Sequence, residues 1–226
     1  MTKHLLTSAL IAGLAAGLLA ALLQFAFVVP SILEGELYES GARVHFADGV
    51  IQSERAAPGL GDDLGRHLMT VAFDVVTYIG YGLILAGLMS MAILRGLTLS
   101  ARSGLIWGFA GFIAVQLAPA IGLPPELPGT IAADLVARQI WWFATVLATA
   151  GGLGLIAFGR GILPLGGIAL ILAPQLIGAP QPPAYYGVAP PELAAHFATL
   201  SLGTAAAGWS ILGFAVAYFL SRDQRG

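Results

Sequence analysis

The stretch from Gln116 to Trp142 has the sequence QLAPAIGLPPELPGTIAADLVARQIWW. An apolar segment enters it, a proline-rich turn reverses the chain, and a second apolar segment leaves through a tryptophan pair. A diverged copy follows, because LAP at 117–119 returns at 172–174 and PPEL at 124–127 returns at 190–193. A repeated apolar hairpin with its polar residues at one end is typical of membrane transporters.

The composition points to a membrane protein as well. Apolar residues make up 58 % of the 226 residues, and charged residues only 10 %. A soluble domain carries about 25 % charged residues, so this chain could not cover a water-facing surface. The apolar runs are continuous rather than alternating, which favours membrane helices over a β-barrel. We therefore predict an all-α integral membrane protein in which about six spans use most of the chain.

The apolar runs place these spans near 5–29, 68–94, 104–121, 140–158, 162–177 and 200–220. The fifth is short and contains two prolines, so we expect it to be kinked or to cross only part of the bilayer.

The chain as a whole, 1–226, is predicted to be one membrane domain. It would consist of three helical hairpins, 5–95, 104–160 and 162–222, with an outer acidic loop over 31–67. The second and third hairpins share motifs. The first hairpin shares with the other two only the order of three residues: a glutamine and a proline before the turn, and an arginine at the end of the second span. These residues could equally mark the ends of spans.

Basic residues near the span ends lie mostly on one side. By the positive-inside rule, that side is cytoplasmic. Both termini are then cytoplasmic, and the acidic loop and both proline-rich turns face outward. The residues that set this orientation are Lys3, Arg95, Arg102, Arg160, Arg222 and Arg225.

The second span carries a polar face on its outer half. An acid inside hydrocarbon costs at least ~2.5 kcal/mol at the bilayer centre, so Asp74 should face the bundle interior or water. We predict an outward-open polar path with Asp74 as its deepest acid and His67 at its mouth. An interfacial Asp74, with the tyrosines in an aromatic belt, remains open. The residues within one arc of about 100° are His67, Thr70, Asp74, Thr77, Tyr78 and Tyr81.

Carboxylates and imidazoles in and after the acidic loop could hold a divalent cation. This ligand set suits Co, Ni, Zn or Mn better than Mg. The spacing is not diagnostic, and a solvated or structural role stays open for the loop acids. The candidate ligands are Glu34, Glu36, His45, His67 and Asp74.

Other polar residues near span ends are candidates for lining the path or for structural roles: Gln24, Gln116, Glu126, Arg138, Gln175, Glu192 and His196. The three glutamines are the expected deeper partners of Asp74. Arg138 could brace its turn by pairing with Asp134 or Glu126. The adjacent tryptophans at 141–142 are expected to anchor at headgroup depth.

Several function classes find no support. The chain has no cysteine, so disulfides, thiolate metal sites and cysteine catalysis are excluded. The phosphate-binding G-x-x-x-x-G-K-[ST], H-E-x-x-H and G-x-S-x-G are missing, and basic residues are too few for nucleic-acid binding. We expect neither an enzyme nor a permanently bound cofactor.

Four separated motifs resemble the CbtA family of predicted cobalt-transporter subunits: ILEGELYE at 32–39, GLPPELPG at 122–129, RQIWW at 138–142 and IGAP at 177–180. The resemblance covers essentially the whole chain. It implies a bacterial inner-membrane protein with five or six spans, linked to cobalt supply for cobalamin, and a small single-span, histidine-bearing partner of the CbtB type. The histidine-rich cluster common in the family's first outer loop is absent here.

Two functions are therefore expected as alternatives. The first is a membrane subunit of a divalent-metal uptake system, for cobalt or a similar cation, which enters through the outward-facing polar vestibule. The second is a non-transporting accessory subunit of a larger membrane complex, packed through the small-residue face Gly82-x-x-x-Ala86-x-x-x-Ser90.

Overall fold

The computed structural model describes residues 2–45 and 55–223. This part of the chain is helical apart from its turns, loops and one isolated β-bridge. Its α-helices are α1 (Thr2–Leu23), α2 (Val29–Glu39), α3 (Leu64–Leu94), α4 (Ala101–Phe112), α5 (Ala118–Gly122), α6 (Leu135–Phe158), α7 (Leu163–Ile177) and α8 (Pro191–Asp223).

Five helical stretches among the described residues are long and apolar enough to cross a membrane: Lys3–Glu39, Leu64–Leu94, Ala101–Gly122, Leu135–Phe158 and Pro191–Arg222. The all-helical, multi-span prediction is thus confirmed. α7 has 15 residues, or about 22 Å of helix, against a hydrocarbon core of about 30 Å. The fifth predicted span is therefore too short to cross as a helix alone, and it contains Pro174 in its interior.

Two helical stretches contain a π segment. The first π segment, Gln24–Val28, joins α1 to α2, and the second, Ile113–Leu117, joins α4 to α5. In both cases a proline, Pro30 or Pro119, follows in the first turn of the next helix. Proline has no N–H and its ring displaces the carbonyl four residues earlier, so a local bulge absorbs the misfit. The first two predicted hairpins therefore share a glutamine-bearing π segment followed by proline.

The predicted loop over 31–67 is wrong at both ends. α2 continues the first span to Glu39, and α3 begins at Leu64, so residues 31–39 and 64–67 belong to helices rather than to a loop. The acidic α2 is helical because one of its faces is buried, including Leu33 and Tyr38. The N-terminus of α3 is capped by Asp63, whose carboxylate accepts a hydrogen bond of 2.9 Å from the Arg66 N–H.

Met1–Phe25, Asp62–Phe112 and Gly203–Gly226 form one compact unit. In it, α1 presents small residues to α3. A Cβ on Gly13 would lie 2.5 Å from Ile79 Cα, and one on Gly17 would lie 2.6 Å from Val75 Cα. Side chains larger than hydrogen would force these two helices apart. α8 approaches α4 in the same way, because Gly104 lies directly against the backbone of α8.

Ala26–Gly61 and Ile113–Leu202 form the second compact unit. Its proline-rich loops meet through an isolated bridge between Thr130 and Gly187. Both copies of PPEL contribute to one apolar cluster, since Leu127 belongs to its buried core and Leu193 packs against that core. The repeat seen in the sequence therefore corresponds to two turns that share a cluster.

The expectation of a headgroup anchor is wrong for Trp141. Its side chain is buried, and its Nε1–H donates a 3.2 Å hydrogen bond to the carbonyl of Pro174 in α7. The indole also lies against Gly122, where a Cβ would come within 2.8 Å of the ring. Its position is set by packing between α5, α6 and α7 rather than by the lipid interface.

Candidate functional site

The candidate site centres on Asp74, in the N-terminal half of α3. The Asp74 side chain is buried, with a relative exposure of 8 %. Gln24, in the first π segment, donates a hydrogen bond of 2.7 Å from Nε2 to Asp74 Oδ1. This is one of the three glutamines predicted as a deep partner. The acid faces the packed interior of its own unit rather than the surface.

The second carboxylate oxygen of Asp74 is unpartnered. Oδ2 is buried, and within the part of the chain that the structure describes it has no hydrogen-bond partner. A buried acceptor without a donor costs about 1–3 kcal/mol, and more when it is charged. The Gln24 amide is neutral, so it orients the carboxyl group without balancing its charge. Such a site would be stabilised by a cation or by a proton.

The close approach of α1 and α3 brings Gln24 within reach of Asp74. A Cβ on Gly17 would lie 3.1 Å from the Asp74 carbonyl oxygen, so the two backbones nearly touch below the site. The π segment then adds an extra residue to the turn that carries Gln24. The amide is therefore set by backbone packing on one side and by the helical bulge on the other.

His67 lies in the first turn of α3, toward the end at which we predicted the mouth of the path. It is half-buried, and its ring meets Phe25 edge-on with 5.5 Å between centroids. His67 and Asp74 are separated by seven residues, or about 10 Å along the helix. They lie too far apart along the axis to hold one ion together easily.

The polar face of α3 is narrower than the sequence predicted. Thr77 is exposed and therefore leaves the buried face. The Thr70 hydroxyl donates to the carbonyl of Arg66 at 3.1 Å, which satisfies it within its own helix. Asp74 and Tyr78 are the buried polar positions that remain on this helix.

Tyr81 is half-buried, whereas Tyr78 is an interior residue that is 6 % exposed, so the aromatic-belt alternative is wrong for Tyr78. Its ring meets Tyr81 edge-on at 5.9 Å. Tyr81 in turn stacks on Trp209 of α8, with 4.3 Å between centroids and 24° between planes. Sequence reasoning missed Trp209. Its signal is a tryptophan in the middle of an apolar span, where interfacial anchoring cannot explain it.

The acidic loop supplies an ion pair. Glu34 is buried, and its Oε1 accepts hydrogen bonds of 3.2 Å from Arg43 Nη1 and from the Ala56 N–H. Arg43 Nη1 also donates to the Ala56 carbonyl at 3.1 Å. A buried acid needs such a partner. In this structure Glu34 therefore ties α2 to the chain that follows it.

The five predicted metal ligands do not form one cluster in the described residues. Glu34, Glu36 and His45 belong to the second unit, whereas His67 and Asp74 belong to the first. Across residues 2–45 and 55–223, no group of three or more histidine, aspartate and glutamate side chains is placed to hold a metal ion.

Comparison with known families identifies the chain. The model of a family described as a probable cobalt transporter subunit (CbtA) matches residues 2–221. The chain belongs to the CbtA family. Comparisons with curated proteins and with solved structures gave no match. The resemblance drawn from the four motifs is therefore confirmed, and the CbtA chain is a multi-pass membrane protein of a family whose description suggests cobalt as its cargo.

The remaining polar candidates of this CbtA chain lie in the second unit. Gln175 Nε2 donates to the Ala118 carbonyl at 2.9 Å, which joins α7 to α5, and Gln116 is half-buried in the second π segment. Arg138 forms an ion pair with Glu126 at 3.0 Å, which is one of the two partners predicted for it.

Three residues of the second unit lie at helix starts without a visible role in the path. Asp134, the other predicted partner of Arg138, instead caps α6 by accepting a 2.9 Å hydrogen bond from the Ala137 N–H. Glu192 and His196 are exposed at the start of α8.

Proposed function

We propose that this CbtA chain is the membrane subunit of an uptake system for cobalt or a similar divalent cation. The buried face of α3 would line an outward-facing path. The observation that supports this most is Asp74, which is buried beside a neutral amide and has an unpartnered Oδ2. An acid inside hydrocarbon is expensive and usually marks a pathway for ions or protons.

In this proposal the path has successive stations. His67 binds the cation near the mouth, and Asp74 receives it about 10 Å deeper, where Gln24 holds the carboxyl group in place. Glu36 and His45 are the outer-loop candidates for capturing the ion. Glu34 is already paired with Arg43 through its Oε1, so it would take part less readily than Glu36 or His45. Acidic residues near the entrance would raise the local cation concentration.

The orientation proposed with it follows the positive-inside rule. The termini and the basic residues Arg95, Arg102 and Arg160 face the cytoplasm, and the chain lies in a bacterial inner membrane. The partner would be a small single-span, histidine-bearing subunit of the CbtB type. The chain itself would carry no ATPase, so the driving force must come from a gradient or from another subunit.

The accessory-subunit alternative was based on the face formed by Gly82, Ala86 and Ser90. A Cβ on Gly82 would lie 2.9 Å from the Ala9 carbonyl oxygen, and Ala86 is fully buried. Two of the three residues are therefore covered by helices of the same chain, and a docking partner would need another surface.

Radioactive cobalt uptake separates the two functions. Cells without their own cobalt uptake would express the chain alone, then with a small single-span subunit. The proposal predicts uptake above that of cells carrying neither protein in at least one of these two cases, and uptake that depends on Asp74. Cells in which the small subunit alone accounts for all the uptake would support the accessory role.

A further inference from the structure

Three aromatic side chains follow Asp74 in the direction of Arg95. Tyr78 is one helical turn beyond Asp74, and Tyr81 follows it on α3. Tyr78 meets Tyr81 edge-on at 5.9 Å, and Tyr81 stacks on Trp209 at 4.3 Å. We call Tyr78, Tyr81 and Trp209 the aromatic cluster. Its members come from α3 and α8 and all belong to the first unit.

Two of these rings occupy space that is open because the neighbouring helix positions are glycines. Gly208 lies directly against the Tyr78 hydroxyl, so that a Cβ there would clash with it. Gly111 of α4 has the same relation to the Trp209 indole, whose Cε3 would lie 2.6 Å from an added Cβ. The rings of Tyr78 and Trp209 therefore fill the space between helix backbones.

Beyond the aromatic cluster the first unit is packed with apolar side chains. Met89 of α3 and Leu212 and Val216 of α8 are fully buried, and Leu85 is 3 % exposed. A cation at Asp74 would meet rings first and then a dry apolar core in this direction. Moving a charge through such a core is prohibitive, so the described structure is closed between Asp74 and the Arg95 end.

We propose that the aromatic cluster is the inner barrier of the cation path, an inference that rests on the proposed function. The Tyr81–Trp209 stack separates Asp74 from the Arg95 end of α3, and it must part before an ion bound at Asp74 can leave in that direction. Face-to-face stacking is a modest interaction, which suits a barrier that has to open. Tyr78 is the ring nearest to the acid and forms the floor of its site.

Because the chain has no cysteine, the reaction of a single introduced thiol shows whether a cation reaches that position. Leu85→Cys places one a turn beyond Tyr81 on the far side of the aromatic cluster, and Thr70→Cys places one on the near side. Silver ion, a soft cation that binds thiolates, is applied to membrane vesicles. The vesicles are right-side-out or inverted, depending on which orientation lets silver reach Thr70→Cys. After denaturation, the thiols that escaped silver are counted with a fluorescent maleimide.

In the otherwise native chain we expect Thr70→Cys to react and Leu85→Cys to be protected. Adding Trp209→Ala or Tyr81→Ala should speed the reaction of Leu85→Cys by at least about fivefold, since each removes the stacked pair. Trp209→Phe keeps a ring and should restore protection. Phe73→Ala removes a ring that is 70 % exposed on the same helix and should change nothing.

Two results would overturn the barrier: Leu85→Cys reacting as fast as Thr70→Cys in the native background, or staying protected in every alanine variant that elutes as a folded species. Tyr81→Ala is the milder truncation, because Tyr81 is only half-buried, and it serves if Trp209→Ala does not fold. Labelling thus tests the barrier, and uptake by Asp74→Asn tests the proposed function.

Discussion

Gln24 and Asp74 are joined by a hydrogen bond of 2.7 Å in which Nε2 donates to Oδ1. The two residues are 50 positions apart, so the bond ties the π segment after α1 to the N-terminal half of α3. Because the amide is neutral and Oδ2 has no partner among the described residues, the pair is oriented but not electrically balanced. This imbalance distinguishes Asp74 from Glu34, which is paired with Arg43.

Removing the amide should weaken both the site and the fold. Gln24→Leu leaves the buried carboxyl group without a donor, which should cost about 1–3 kcal/mol of unfolding free energy and reduce cobalt uptake. Thermal aggregation of the purified chain and uptake in cells would measure the two effects. Gln139→Leu, at an exposed position of α6, is the control. Equal stability and uptake in both variants would show that the bond does not matter.

Two glycines should respond in opposite ways to alanine. Gly17→Ala pushes a methyl group into the backbone of α3 and should destabilise the chain by about 1–3 kcal/mol. A Cβ on Gly80 meets nothing within 4 Å, so Gly80→Ala should stabilise α3 by about 0.5–1 kcal/mol. Melting temperatures of the two purified variants give the comparison. A neutral Gly17→Ala would contradict the close contact of α1 with α3.

Two ion pairs among the described residues of the second unit should differ in strength. Arg43→Ala leaves Glu34 buried and unpaired, which should cost about 3–5 kcal/mol. Arg138→Ala removes the partner of Glu126, where both side chains keep more than a quarter of their exposure, and should cost at most about 1 kcal/mol. Unfolding followed in detergent would rank them. A larger loss in Arg138→Ala would reverse our assignment of Glu34 as a structural acid.

Topology can be tested with one thiol. Arg160→Cys, between α6 and α7, should react with a membrane-impermeant maleimide only in inverted vesicles, because the basic flanks are expected on the cytoplasmic side. Thr130→Cys, an exposed position in the proline-rich loop, should react from the opposite side. Labelling of position 160 in intact cells would refute the orientation.

The sequence predicted the class of fold because long apolar runs leave few alternatives. It also predicted that Asp74 faces the bundle interior or water, because a charge in lipid is costly, but it left an interfacial position open. It could not predict the partner uniquely. The π segment adds a residue to a turn, so the face that Gln24 occupies does not follow from a period of 3.6 residues. Three glutamines therefore remained equivalent until the helices were in place.

The Tyr81–Trp209 stack and the burial of Trp141 escaped prediction for a different reason. Each depends on which helices are neighbours, and no local pattern specifies that α8 lies beside α3 or that α7 lies beside α6. The sequence analysis assigned Trp141 and Trp142 to the interface, where tryptophans are commonest, and made no prediction for Trp209. Glycines that admit a ring, such as Gly111 and Gly122, were the relevant signal, but they are recognisable only after the contact is known.

Cobalt uptake by Asp74→Asn is the most direct test of the central claim, that Asp74 binds the transported cation. The substitution keeps the shape of the side chain and removes its charge, so expression and insertion should stay unchanged. Uptake should fall by about 100-fold or more, because losing one charged partner of a buried pair costs ~3 kcal/mol. Asp63→Asn, at the exposed N-cap of α3, should transport normally. Uptake by Asp74→Asn equal to that of Asp63→Asn would contradict the account.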